Sequence, residues 1–131
     1  MNTSKLLVVD DAFTILSLVD NVFKRKYEVA KCNTVTDALA YLENNVPDII
    51  ITDLNMPDVS GEEFVSFIKS NPKLEFVPIV VLSSSENAST RIKLLKLGVD
   101  DFVQKPFNPE ELGLRIENIL KRYYNFKQMA A

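Results

Sequence analysis

Five short apolar runs punctuate the chain at fairly even spacing: residues 6–9, 28–31 around Val29, 49–52, 79–82 and 102–103. Between them lie longer stretches in which apolar residues recur with helical periodicity. The first, third and fourth runs are unbroken and rich in Val and Ile, as expected of strands covered on both faces in a parallel sheet flanked by helices. Strand and helix alternating in this way predict an α/β domain of the (βα)5 type, doubly wound around a five-stranded parallel sheet.

The helical stretches carry their own start and stop signals. Ser60 followed by Glu63 reads as a capping box ahead of Phe64, Phe67 and Ile68,. Asn108, Pro109 and Glu111 supply a cap, a proline at the first helical position and an acidic first turn; Leu112, Ile116, Ile119 and Tyr123 then fall on one stripe,. Thr34 is placed to cap the second helix, and Gly98 stands where the fourth would need a left-handed terminus,. No repeat, low-complexity segment or linker interrupts the pattern. The reading is one domain over residues 1–131, with a core of about 5–124 and a frayed tail at 125–131,.

Composition narrows the function. A chain of 131 residues with 47% hydrophobic content can build one sizeable core,. A formal charge of −3 offers no electrostatic reason to approach nucleic acid or an anionic membrane,. The apolar run at 6–9 is too short, and too soon followed by Asp10, for a signal peptide or a membrane span,. Cys32 is the single cysteine and reads as a small buried apolar residue, which fits a reducing, cytoplasmic setting,. With no histidine, His-based acid–base catalysis, His metal sites and His-containing triads are all excluded,.

In open α/β sheets, ligands bind beyond the carboxyl ends of the strands, where the strand order reverses. The polar residues that end the runs are Asp10 and Asp11, then Asp53, Ser83, and Lys105 followed by Pro106. If the strand order is 2-1-3-4-5, as in doubly wound sheets of the flavodoxin type, the first and third strands are neighbours and three carboxylates meet. A like-charge pair at 4 Å costs about 4 kcal/mol at an effective dielectric of 20, so cations are required. Lys105 supplies one. An all-oxygen site suits Mg2+ or Mn2+ rather than zinc or copper, and Mg2+ commonly completes its shell with phosphate. A carboxylate can accept a phosphoryl group as nucleophile. Asp53, alone at the end of the central strand, is the candidate, while the Asp10–Asp11 pair is better suited to a metal.

These residues resemble the receiver family of bacterial two-component systems from Lys5 to about Tyr123. The resemblance rests on Val8-Val9-Asp10-Asp11, on Asp53-Leu54-Asn55-Met56-Pro57 with Gly61, on Ser83, and on Lys105-Pro106-Phe107. It implies a flavodoxin-like sheet in the order 2-1-3-4-5, phosphorylation of Asp53, and Mg2+ held by Asp11, Asp53, the Asn55 carbonyl and, through water, Asp10. It further implies phosphoryl contacts from Ser83 and Lys105, a cis bond between Lys105 and Pro106, and an aromatic switch at Phe102. The expected partners are a histidine kinase or histidine phosphotransfer domain and an output partner. The expected state is a monomer or a phosphorylation-dependent dimer, not a turnover enzyme.

Simpler readings stand beside these. Asp10 and Asp11 can complement the dipole of the following helix, Asp53 can be a turn residue, and residues 83–85 a solvated loop. Phe102 can serve as core. Arg91, Lys93 and Lys96 opposite Asp100 and Asp101 offer a charged dimer surface, but exposed ion pairs contribute little. Tyr124 and Phe126 are candidates for a partner contact or for a remnant of a junction to another domain. One rival function is a haloacid-dehalogenase phosphatase, whose two aspartates are separated by one residue, whereas Asp10 and Asp11 are adjacent. Another is a flavin module, which wants glycines and free amides where Asp11, Ala12, Phe13 and Thr14 stand,.

Overall fold

The structure, a computed structural model, describes residues 3–84 and 87–130, without the side chains of Phe126, Lys127 and Ala130. Strands and helices alternate as β1 (Lys5–Val9), α1 (Phe13–Phe23), β2 (Glu28–Cys32), α2 (Val35–Leu42), β3 (Ile49–Asp53), α3 (Gly61–Ser70), β4 (Ile79–Ser83), α4 (Ala88–Leu97), β5 (Asp101–Gln104) and α5 (Pro109–Ala130). The sheet is wholly parallel, in the order β2-β1-β3-β4-β5.

Alternation along each strand divides the core into two layers. Leu7, Val9, Ile50, Ile79 and Val81 face α2, α3 and α4 through Val35, Ala38, Phe64, Ile68 and Leu94. Leu6, Val8, Ile49, Ile51, Val80 and Leu82 face α1 and α5 through Leu16, Val19, Phe23, Leu112, Ile116 and Ile119. Every residue of β3 and β4 is buried, which is why those runs are unbroken while the edge strands β2 and β5 are mixed.

The side chains expected to cap α2, α3 and α5 accept backbone amides of the first turn, in the case of Ser60 as one half of the expected capping box. Thr34 and Ser60 accept the amides of Asp37 and Glu63, and Asn108 accepts those of Glu110 and Glu111. Gly98 ends α4 in the left-handed region at φ 103°. Two boundaries differ. The fifth strand extends one residue on each side of 102–103, its polar ends being tolerated at a sheet edge, and Lys105 lies just past it. Helix α5 continues to Ala130 through the segment expected to fray; that segment contains no proline or glycine to end it,. Met1, Asn2, Ser85, Glu86 and Ala131 lie outside the described residues, as does the Phe126 side chain, a candidate for a partner contact or a domain junction.

Asp100 and Asp101, candidates for part of a charged dimer surface, are engaged within the chain. Asp100 accepts from Ile79 N and from the Tyr123 hydroxyl, both at 2.9 Å. Asp101 pairs with Arg115 at 3.0 Å.

Candidate functional site

Because all five strands run the same way, their carboxyl ends share one edge. β1 and β3 are hydrogen-bonded neighbours with Val9 opposite Thr52, so the residues that follow, Asp10 and Asp53, emerge side by side. Asp10 is fully buried. Its Oδ1 accepts the Ala12 amide at 2.9 Å, which orders the entry to α1, a helix whose Ala12 cap has no side chain for the purpose. The helix-supporting role therefore exists, but it uses one oxygen only. Oδ2 lies 2.8 Å from Lys105 Nζ as an ion pair, buried and without a well-aligned hydrogen bond.

Asp53 is also buried. Its Oδ1 accepts the Asn55 amide at 3.3 Å, and its Oδ2 stands 3.3 Å from Lys105 Nζ. Burial, reinforced by the charge of Asp10, pushes the Asp53 carboxyl above the ordinary range, against the opposing pull of Lys105 and the Asn55 amide. Burial works against charge on Lys105, but its close contact with Asp10 and the charges of Asp10 and Asp53 prevail and hold its ammonium above the usual lysine value. The Lys105 amide donates to Ser83 O at 2.8 Å, and the bond from Lys105 to Pro106 is cis.

Asp11, exposed at the mouth, completes a cluster in which one oxygen from each of Asp10, Asp11 and Asp53 lies within 4.8 Å of the others. The donors are all carboxylate oxygens, one of them buried without an aligned partner, and three acidic groups face a single ammonium. A hard divalent cation such as Mg2+ fits that set by charge and ligand type.

Ser83 and Phe102 belong to an adjoining feature. With Leu54, Asn87, Thr90, Arg91, Val103 and Gln104 they line a cavity of about 150 Å³ between the start of α4 and β5. Phe102 is half-buried against the α2–α3–α4 layer. Its core role and its place beside an open volume are both real. Sequence reading missed Asp58, whose carboxylate accepts from Val35 N, Thr36 N and Thr36 Oγ1 on α2; an acceptor 22 residues from its donor leaves no local signal.

The family model for the response regulator receiver domain matches residues 6–117. The chain belongs to the response regulator receiver domain family. It is 39% identical over 89% of its length to response regulator SaeR of Staphylococcus aureus, and 33% identical over 95% to histidine kinase P4 of Formosa agariphila. It spans 50% of the first relative's length and 9% of the second's. The solved structure of chemotaxis response regulator CheY4 of Vibrio cholerae superposes with a TM-score of 0.84 at 30% identity, over 90% of this chain and 99% of that one. These matches give no support to the haloacid-dehalogenase reading: the relatives and the fold are those of receivers, and Asp10 and Asp11 are adjacent. No helix among the described residues is long and apolar enough to cross a membrane.

Proposed function

We propose that this receiver is a phosphoacceptor switch modified on Asp53. The observation that carries the reading is the convergence of Asp10, Asp11 and Asp53 on one strand edge, with Lys105 Nζ 2.8 Å from Asp10 and 3.3 Å from Asp53. The donor is the phosphohistidine of a histidine kinase or a histidine phosphotransfer domain. An Asp53 carboxylate oxygen bonds to phosphorus as the nitrogen–phosphorus bond breaks. The imidazole leaves with its electron pair, and an acyl phosphate remains.

Asp11, Asp53 and the Asn55 carbonyl would hold Mg2+, with Asp10 in support; when bound, the ion would supply positive charge to neutralise the phosphoryl oxygens. Lys105 pairs with another of those oxygens, and the Ser83 hydroxyl donates to a third. Supporting this division of labour, Lys105 already bridges two carboxylates and so can exchange one anionic partner for another. The chain promotes its own phosphorylation and dephosphorylation and does not turn over a separate substrate. The setting is cytoplasmic, and the protein is a monomer or a dimer formed on phosphorylation.

The output is a population shift at the α4–β5–α5 surface, driven by Ser83 approaching the phosphoryl group and Phe102 turning inward to control a partner. The cavity between Ser83 and Phe102 provides room for that movement. Amide spectra recorded with acetyl phosphate are expected to shift along α4, β5 and α5 when Mg2+ is present and to stay unchanged with a chelator. Identical spectra in both conditions would contradict the switch.

A further inference from the structure

The loop between β3 and α3 leaves the sheet at Asp53 and re-enters helix at Gly61. Its neck is closed by Gly61 N donating to Leu54 O at 3.0 Å. A methyl group at Gly61 would fall 2.7 Å from that oxygen, so the closure needs glycine,. Within the loop the Asn55 amide donates to Asp53 Oδ1 at 3.3 Å and Met56 is buried in the core; a hydrogen-bonded attachment to the neighbouring helix adds to these.

Asp58 provides the attachment. Its carboxylate accepts Val35 N at 3.2 Å, Thr36 N at 2.8 Å and Thr36 Oγ1 at 2.8 Å, an anion seated on the first turn of α2. That helix does not depend on Asp58 for capping, because Thr34 Oγ1 already accepts from Asp37 N at 3.0 Å. What Asp58 adds is a bridge between distant segments. The far end is firmly held: Val35 and Ala38 are fully buried, and Cys32 O, at the end of β2, accepts the Asp10 amide at 3.1 Å. One corner of the fold, where β2 turns into α2, thus steadies Asp10 on one side and the loop bearing Asn55 on the other.

We propose that Asp58 is a positioning residue of the phosphorylation site: by joining the β3–α3 loop to the first turn of α2, it holds the Asn55 backbone where the metal-binding cluster needs it. The proposal rests on the reading of Asp10, Asp11, Asp53 and Asn55 as the Mg2+ site. It is tested by calorimetric Mg2+ titration of the unphosphorylated chain, with the Asn55 amide resonance recorded before metal is added.

Asp58→Ala is expected to weaken Mg2+ binding about threefold, less than loss of a group bonded directly to a metal ligand because Asp58 acts through the loop backbone, and to move the metal-free Asn55 resonance. Thr36→Val and Asp58→Asn are expected to do the same to a smaller degree. Thr34→Ala, which removes the cap of the same helix without touching the loop, is expected to lower Tm while leaving Mg2+ affinity and the Asn55 resonance unchanged.

Asp58→Ala that lowers Tm alone would overturn the proposal, and so would Thr34→Ala that weakens Mg2+ binding equally. Should Asp58→Ala not fold, Thr36→Val and Asp58→Asn decide, and wild-type affinity in both overturns it. Wild-type protein that binds no Mg2+ would overturn the site reading and this proposal together; wild-type binding matched by every variant would overturn the proposal alone.

Discussion

Lys105 reaches Asp10 more closely than it reaches Asp53, at 2.8 Å against 3.3 Å. The lysine thus neutralises the fully buried carboxylate first and remains in range of the one proposed to take phosphate. Replacing Lys105 with Met strands the Asp10 charge. The metal-free protein is expected to lose about 2 kcal/mol, less than for a fully buried pair because Lys105 is partly exposed. Mg2+ affinity should rise, since the cation no longer competes with an ammonium, and added Mg2+ should restore much of the lost stability. Thermal unfolding with and without Mg2+ reads all three effects.

Asp53 carries the opposite signature, a functional group held at some cost to stability. Burial and the neighbouring Asp10 raise its carboxyl above the ordinary value, so the ionised form is disfavoured in the folded protein. Asp53→Asn is expected to stabilise the metal-free protein by about 1 kcal/mol. The gain should be full above the folded-state pKa and fade as pH falls and the wild-type carboxyl protonates. Denaturant unfolding in chelator across pH measures it; a loss of stability at neutral pH would contradict the electrostatic account.

Asp58 behaves in the reverse sense. The Thr36 amide, with the Thr36 hydroxyl and the Val35 amide adding to it, holds its carboxyl down to about 2 from an ordinary 3.8. Its contribution is therefore complete above 3.8 and lost as pH falls through about 2,. Asp58→Ala should lower stability by about 0.5 kcal/mol near neutrality, the usual worth of an exposed carboxylate beside a helix N-terminus. The difference from wild type should vanish at the acid end. A constant difference across that range would show that the carboxylate charge is not what matters.

The neighbouring strands β3 and β4, buried at every residue, were legible because burial on both faces leaves unbroken Val and Ile runs. Only residues 102–103 signalled β5, since Asp101 and Gln104 sit at its ends on a sheet edge. Caps at Thr34, Ser60 and Asn108 were readable because each bonds within three residues of itself. The carboxylate cluster was readable for a different reason: a parallel sheet delivers every strand's last residue to one edge. Contacts between segments far apart in sequence were not readable. Asp58 on α2, Tyr123 on Asp100 and the preference of Lys105 for Asp10 all depend on how loops and helices settle in three dimensions.

The Tyr123 hydroxyl donates to Asp100 Oδ1 at 2.9 Å while Asp100 Oδ2 holds the Ile79 amide, tying α5 to the start of β4. Burial first, then Asp100, pushes the phenol above the ordinary tyrosine range. Tyr123→Phe is expected to cost about 1 kcal/mol and to leave phosphorylation unchanged, because this contact lies at the sheet edge opposite the carboxylate cluster. Unfolding midpoints and phosphorylation rates measured side by side check both halves.

The account stands or falls on phosphate reaching Asp53. Intact mass of wild type and Asp53→Asn, taken after incubation with acetyl phosphate and Mg2+, is the most direct measurement. One phosphoryl group per chain is expected on the wild type and none on the variant. A wild type that gains none from acetyl phosphate or from a phosphorylated histidine kinase, or a variant that gains as much as the wild type, would contradict it.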